Sequence, residues 1–233
     1  MKVIRRFSEF INESAIEVTP RSADSFVTIL DKYDGEKEVG NNGGAMVEGF
    51  LKTIGLGKGQ PWCQAFVYAV FDEFTKSKGI SNPLPKTGSV LSHWKQAPES
   101  NKIKASDIKI GSTAGSSGTA GSSGSSSTSG SNGSSGTSGP KPVDSKKVQP
   151  GQVFIKTRVG GGHTGIVLKV DGESFISLDG NSSDKVKINK YKIKDMLGFV
   201  DYFQNQEFSD AFVKAASSLI SKSSVGQGGG KET

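Results

Sequence analysis

Cys63 is the only cysteine among the 233 residues, and His93 and His163 are the only histidines. A lone thiol makes no internal disulfide and no thiolate-rich zinc site, so its chemistry turns on whether the chain supplies a base. In "GQPWCQAFVYAVFDEF", residues 59–74, Cys63 stands in the first turn of a helix opened by Pro61. There the helix dipole and unpaired N–H groups favour a thiolate, and hence a nucleophile. The competing reading is a small core residue, as free cysteines commonly are. "GGGHTGIVLKV" puts His163 after three glycines at the start of a strand, an imidazole at a sheet edge with room for a substrate beside it. "SLDGN" at the end of the next strand adds Asp179 and Asn181, and antiparallel pairing would let either hold the tautomer of the His163 ring. The competing reading here is a surface histidine after a loop, with Asp-Gly-Asn an ordinary turn.

Other residues carry weaker signals. Trp62 and Trp94 are candidate substrate-groove walls, with core packing as the alternative. His93, in "LSHWK", has no comparable constellation and reads as a helix-surface residue. Asp31, Asp34, Glu36 and Glu38 do not have the spacing of a calcium-binding helix–loop–helix, so "DKYDGEKE" reads as a solvated acidic turn. No metal or cofactor is expected.

The elements that must position these groups follow from periodicity. Apolar residues at helical spacing predict a short helix in residues 1–20, then helices in "SADSFVTILDKY", "AMVEGFLKTIGL" and "PWCQAFVYAVFDEFTKSKG". The third is the strongest, with Pro61 at its start and Gly79 at its end. Residues 111–140 contain only Gly, Ser, Thr, Ala, Asn and one Pro, cannot offset their conformational entropy by burial, and predict a disordered linker. Beyond it the period shifts from 3.6 to 2: "GQVFIKT", "HTGIVLKV", "ESFISLD", "KVKINKYK" and "GFVDYF" predict an antiparallel sheet of about five strands. Such a thin sheet needs cover, and the helices of residues 21–110 can supply it for residues 141–203. The expected architecture is α+β, one domain with a Gly/Ser insertion. Residues 204–233 predict a last amphipathic helix and a frayed tail.

The formal charge is +6, with a pI near 9.2. That favours polyanions such as cell-wall polymers or packaged DNA, but no arginine patch interleaved with aromatics points to sequence-specific nucleic-acid reading. No apolar run approaches the ~20 residues of a membrane span, and the N-terminus lacks the apolar core of a secretory signal.

"VGNNGG…VEGFLKTIGLGKGQPWCQAFVYAVF" followed by "VQPGQVFIKT…GGHTGIVLKV…FISLDGN" resembles the CHAP family of cysteine, histidine-dependent amidohydrolases and peptidases found in phage lysins. The likeness spans residues 24–110 and 147–203. It implies a papain-like fold that hydrolyses an amide in the peptide part of peptidoglycan, with Cys63 as nucleophile and His163 as general base and then acid. Asp179 stands where the family commonly has glutamate, and Asn181 matches its asparagine; one would orient the imidazole and the other assist. Gln152 replaces the family's aspartate before the first strand, and the Gly/Ser insertion is not part of the family pattern.

"FSEFINESA" resembles the capsid-targeting leaders of internal head proteins of tailed phages, cut by a prohead protease after an apolar-x-Glu triplet. That would place cleavage after Glu13 and the protein in the capsid interior. The alternative is a helix that docks on the domain's own core. Two classes stand at this point: a cell-wall hydrolase, virion-borne or released from the host cytoplasm, and a non-enzymatic virion protein on a degenerate CHAP fold.

Overall fold

The computed structural model describes residues 18–108, 147–222 and 226–227. The expected N-terminal helix with Glu13 and the Gly/Ser stretch of 111–140 lie outside the described residues. The described residues form an α+β fold of five α-helices and a mixed-length, largely antiparallel sheet.

Helix α1 (Pro20–Tyr33) buries Ala23, Phe26, Val27 and Leu30, the 3- and 4-residue spacing of one helical face. α2 (Ala45–Thr53) follows Gly44, whose φ of 92° is a turn that a side chain would strain, and buries Val47, Phe50 and Leu51. α3 (Cys63–Ser77) is buried around most of its circumference, from Cys63 and Gln64 to Phe74 and Thr75, and ends where Gly79 turns to φ 69°. α4 (Val90–Gln96) is capped by Ser89, whose hydroxyl accepts from the Ser92 N–H at 3.2 Å. α5 (Gln206–Lys222) lies along α1 and buries Phe208, Phe212, Ala216 and Leu219. Phe26 meets Phe71, Phe74 and Phe203 edge-on at 5.0–5.3 Å and joins α1 and α3 to the chain after the sheet. Each such ring, fully withdrawn from water, contributes about 1.5–3 kcal/mol over leaving it exposed.

Six antiparallel strands follow one another in space as β1 (Lys102–Lys104), β6 (Gly198–Val200), β2 (Val153–Arg158), β3 (Gly161–Asp171), β4 (Ser174–Asp179) and β5 (Lys187–Lys192). A two-residue strand β7 (Gly226–Gln227) pairs parallel with β5. The sheet therefore exceeds the five strands expected. β1 is too short to show alternation, and β7 lies in the tail expected to fray; such pairings have no local sequence signal.

Alternation divides the sheet into two faces. Val153, Ile155, Ile166, Leu168, Leu178 and Ile188 join the helices in the larger core, with α3 and α4 packed on β3. Phe154, Val167, Phe175, Tyr191 and Phe199 form a second core on the other face, closed by Ile103, Val148, Ile193 and Met196. The helices before residue 111 thus cover the strands that residues 153–200 contribute to the sheet. No helix among the described residues is long and apolar enough to cross a membrane.

Candidate active site

The site sits where the start of α3 meets β3 and β4. Cys63 is the first residue of α3 and is 7% exposed. The first helical hydrogen bond runs from the Phe66 N–H to the Trp62 carbonyl at 2.8 Å, so the N–H groups of Cys63, Gln64 and Ala65 precede the helical ladder. His163, third in β3, is buried, and it lines one cleft with Cys63. Its Nε2 lies 3.1 Å from Asp179 Oδ2.

The electrostatics of His163 set two effects against each other. Burial disfavours the charged ring, but the hydrogen bond to the Asp179 carboxylate and the influence of the nearby Cys63 outweigh it and raise the pKa to about 9. The imidazole is therefore held protonated at neutral pH.

Asp179 is fully buried and surrounded by donors. Oδ1 accepts from the Ser177 hydroxyl at 2.7 Å; Oδ2 accepts from Asn189 Nδ2 at 2.9 Å and the Tyr191 hydroxyl at 2.7 Å besides His163. Asn189 also donates to Ser182 Oγ at 2.9 Å. A carboxylate in low dielectric needs this many donors to stay charged. The sequence reading did not find Ser177, Asn189 or Tyr191. Their signal is a register: Ser177 pairs directly with Asn189 and Phe175 with Tyr191, which sets a hydroxyl, an amide and a phenol on a face otherwise lined by apolar side chains.

Two glycines of the motifs are explained by close approach. A Cβ at Gly165 would run into the Asp179 carboxylate and lie 2.9 Å from the Phe154 ring. One at Gly180 would come within 2.5 Å of Phe66 Cβ on α3. Both clear the space that lets Asp179 reach the helix-borne thiol through His163.

Cys63 and His163 open onto a cleft of about 500 Å³. Asn41 and Asn42 form one wall with Asn181 and Asp184; Ser89, Val90 and the β2–β3 turn around Gly160 form the other. Asn181, with its backbone at φ 56°, lines this cleft, whereas Asp179 engages the His163 ring. Of the two candidates for orienting the imidazole, the structure brings Asp179 into that position.

Neither tryptophan lines the cleft. Trp62 is fully buried, packs on Phe50 at 6.0 Å and donates from Nε1 to Glu38 Oε2 at 2.8 Å. Trp94 is half-buried beside Gly198 with the Lys102 ammonium 5.5 Å from its ring. His93, expected on a helix surface, is instead completely buried: Nδ1 lies 2.9 Å from Gln64 Oε1 and Nε2 2.7 Å from the Tyr202 hydroxyl. Its partners come from 29 and 109 residues away, beyond any local pattern. In the acidic run, Glu38 is engaged by Trp62 and Asn42 rather than simply solvated. No group of three or more His, Cys, Asp or Glu side chains that could hold a metal occurs among the described residues.

The arrangement places a candidate sulfur nucleophile beside a protonated imidazole oriented by a buried carboxylate, in a cleft that both side chains line. Comparisons with protein-family models, with curated proteins and with solved structures find no match.

Proposed function

We propose that the protein is a cysteine-dependent amidohydrolase or peptidase of the CHAP type, with a papain-like fold, that cuts an amide in the peptide part of bacterial peptidoglycan. The observation that carries this reading is Cys63 at a helix start sharing one cleft with His163, whose ring is hydrogen-bonded to the buried Asp179. The sequence resemblance supplies the substrate class, and the role it suggests is that of a phage lysin, carried in the virion or released from the host cytoplasm.

In the mechanism, the Cys63 proton has already passed to His163, and the sulfur attacks the scissile carbonyl. The Cys63 backbone N–H, ahead of the helical ladder, stabilises the oxyanion. Imidazolium His163, its ring held by Asp179, protonates the leaving amine, and a thioester remains. His163 then takes a proton from water, hydroxide attacks the thioester, and the acid is released with the thiol restored.

The test is clearing of purified cell walls, with free amino groups quantified. Wild-type protein should release amines, while Cys63→Ala and His163→Ala should release none and retain the wild-type circular dichroism. Undiminished release by either variant overturns the mechanism. No release by the wild type, with Cys63 alkylated no faster than free cysteine, leaves the non-enzymatic virion role.

A further inference from the structure

We propose that Glu38 is a positioning residue that holds the cleft to its working width, an inference that rests on the hydrolase reading for its consequence but not for its geometry. Glu38 is half-buried and ties three cleft segments together through one residue. Its Oε2 accepts from Trp62 Nε1 at 2.8 Å, and Trp62 is the residue before the nucleophile. Its Oε1 accepts from the backbone N–H of Asn42 at 2.8 Å, in the wall formed by Asn41 and Asn42. Its own N–H donates to the Asp184 carbonyl at 2.9 Å, in the loop that carries Asn181.

The neighbouring backbone makes this junction a unit. Val186 N–H donates to the Glu36 carbonyl at 2.9 Å and Gly35 N–H to the Val186 carbonyl at 3.1 Å, around a bridge between Lys37 and Lys185. Val39 N–H closes the Asn41–Asn42 loop on the Gly43 carbonyl at 2.9 Å, and Gly59 N–H donates to the Asn42 carbonyl at 2.9 Å. Within this unit the Glu38 side chain reaches across to Trp62, the residue before Cys63. The bond is directional: a carboxylate accepts at both oxygens, whereas glutamine of the same shape accepts at one and presents a donor to a donor at the other. Glu38→Gln therefore keeps the volume and releases one of the two ties.

The test compares two alkylating agents of the same chemistry and different size, iodoacetamide and 5-iodoacetamidofluorescein, on full-length wild-type protein and Glu38→Gln. Iodoacetamide reports the thiol itself; the fluorescein reagent must also pass the cleft walls. The expected result for Glu38→Gln is an iodoacetamide pH–rate profile that superimposes on wild type, a fluorescein-reagent rate raised about fivefold, and wall hydrolysis lowered about tenfold, since misplacement of an ångström costs that much or more. An unchanged ratio of the two rates overturns the proposal. A parallel rise in both rates overturns it too, because the whole domain has then opened. A raised ratio in a protein whose wild type releases no amines upholds the role of Glu38 while the hydrolase reading fails.

Discussion

His93 and His163 are buried to the same degree, both lie near the first turn of α3, and they sit at opposite ends of the imidazole range. His163 bonds the carboxylate of Asp179, and its pKa rises to about 9 although burial opposes this. His93 bonds the next residue, Gln64, and the Tyr202 hydroxyl, both uncharged, and burial alone lowers its pKa to about 3. Burial sets the size of the penalty on a charged ring, and the charge of the partners decides which way the ring titrates. One histidine is thereby held protonated beside Cys63 and the other is a neutral strut from Gln64 to α4. The strut has a tautomer that suits its role: Nδ1–H can donate to Gln64 Oε1 while Nε2 accepts from Tyr202. Gln64 Nε2 has no partner among the described residues, so the amide is oriented through its oxygen alone.

The strongest way to break the comparison is to remove the charge from His163's partner. Asp179→Asn retains the size of the side chain and makes His163 resemble His93, a buried ring among neutral groups. Wall hydrolysis should fall about 10⁴-fold, as when a triad carboxylate is neutralised elsewhere. The ring nitrogens of His163, followed by NMR across the pH range, should titrate well below those of the wild type. A His163 titration unmoved by the substitution would sink the assignment of Asp179.

How much of this contrast the sequence shows depends on the distance over which each feature is determined. Cys63 at a helix start follows from Pro61 and the apolar period of the next fifteen residues, all local. His163 and Asp179 belong to consecutive strands, so antiparallel pairing alone brings them near each other. The choice between Asp179 and Asn181 was open because strand alternation assigns the face only when the end of β4 is known: Asp179 is its last residue, and Asn181 already turns with positive φ. Asn189 and Tyr191 needed the β4–β5 register, and the burial of His93 needed Tyr202 from beyond the linker. Helices α1, α2, α3 and α5 and strands β2 to β6 were legible for the same local reason, and the three-residue β1 and two-residue β7 were not.

Acid provides the next largest effect. Unfolded His93 takes a proton near pH 6.5, while the folded protein resists until about 3. The stability it confers is thus complete above pH 6.5 and lost as pH falls through that window, on the order of 5 kcal/mol in all. His93→Gln should be less stable than wild type at pH 7. The gap in urea midpoint should narrow as pH falls to 4; a gap constant with pH would show that His93 titrates normally.

His163 yields the mirror-image limb, smaller because its shift is smaller. Folded His163 holds its proton up to about pH 9 and the unfolded chain only to about 6.5. Its contribution is therefore full below pH 6.5 and disappears as pH rises through 9, on the order of 3 kcal/mol. The wild type should lose urea resistance between pH 6.5 and 9, and His163→Gln should lose much less. Equal alkaline slopes in the two proteins would remove the basis for a protonated His163 at neutral pH.

Tyr191→Phe sharpens the comparison most finely, because it removes one of four donors to Asp179 and leaves the charge in place. The phenylalanine ring still packs against Phe154 at the 5.2 Å spacing of the tyrosine, so the core is preserved and only the hydrogen bond is lost. A hydrogen bond to a charged acceptor contributes about 1.5–3 kcal/mol. A carboxylate with one fewer donor is a stronger base toward its remaining partners, and Asp179 should grip the His163 proton harder. The expected outcome is a modest loss of stability together with an upward shift of the His163 titration, opposite in sign to that of Asp179→Asn. Measured by the same NMR titration, a downward or absent shift would mean that Asp179 sets the ring's position without governing its charge.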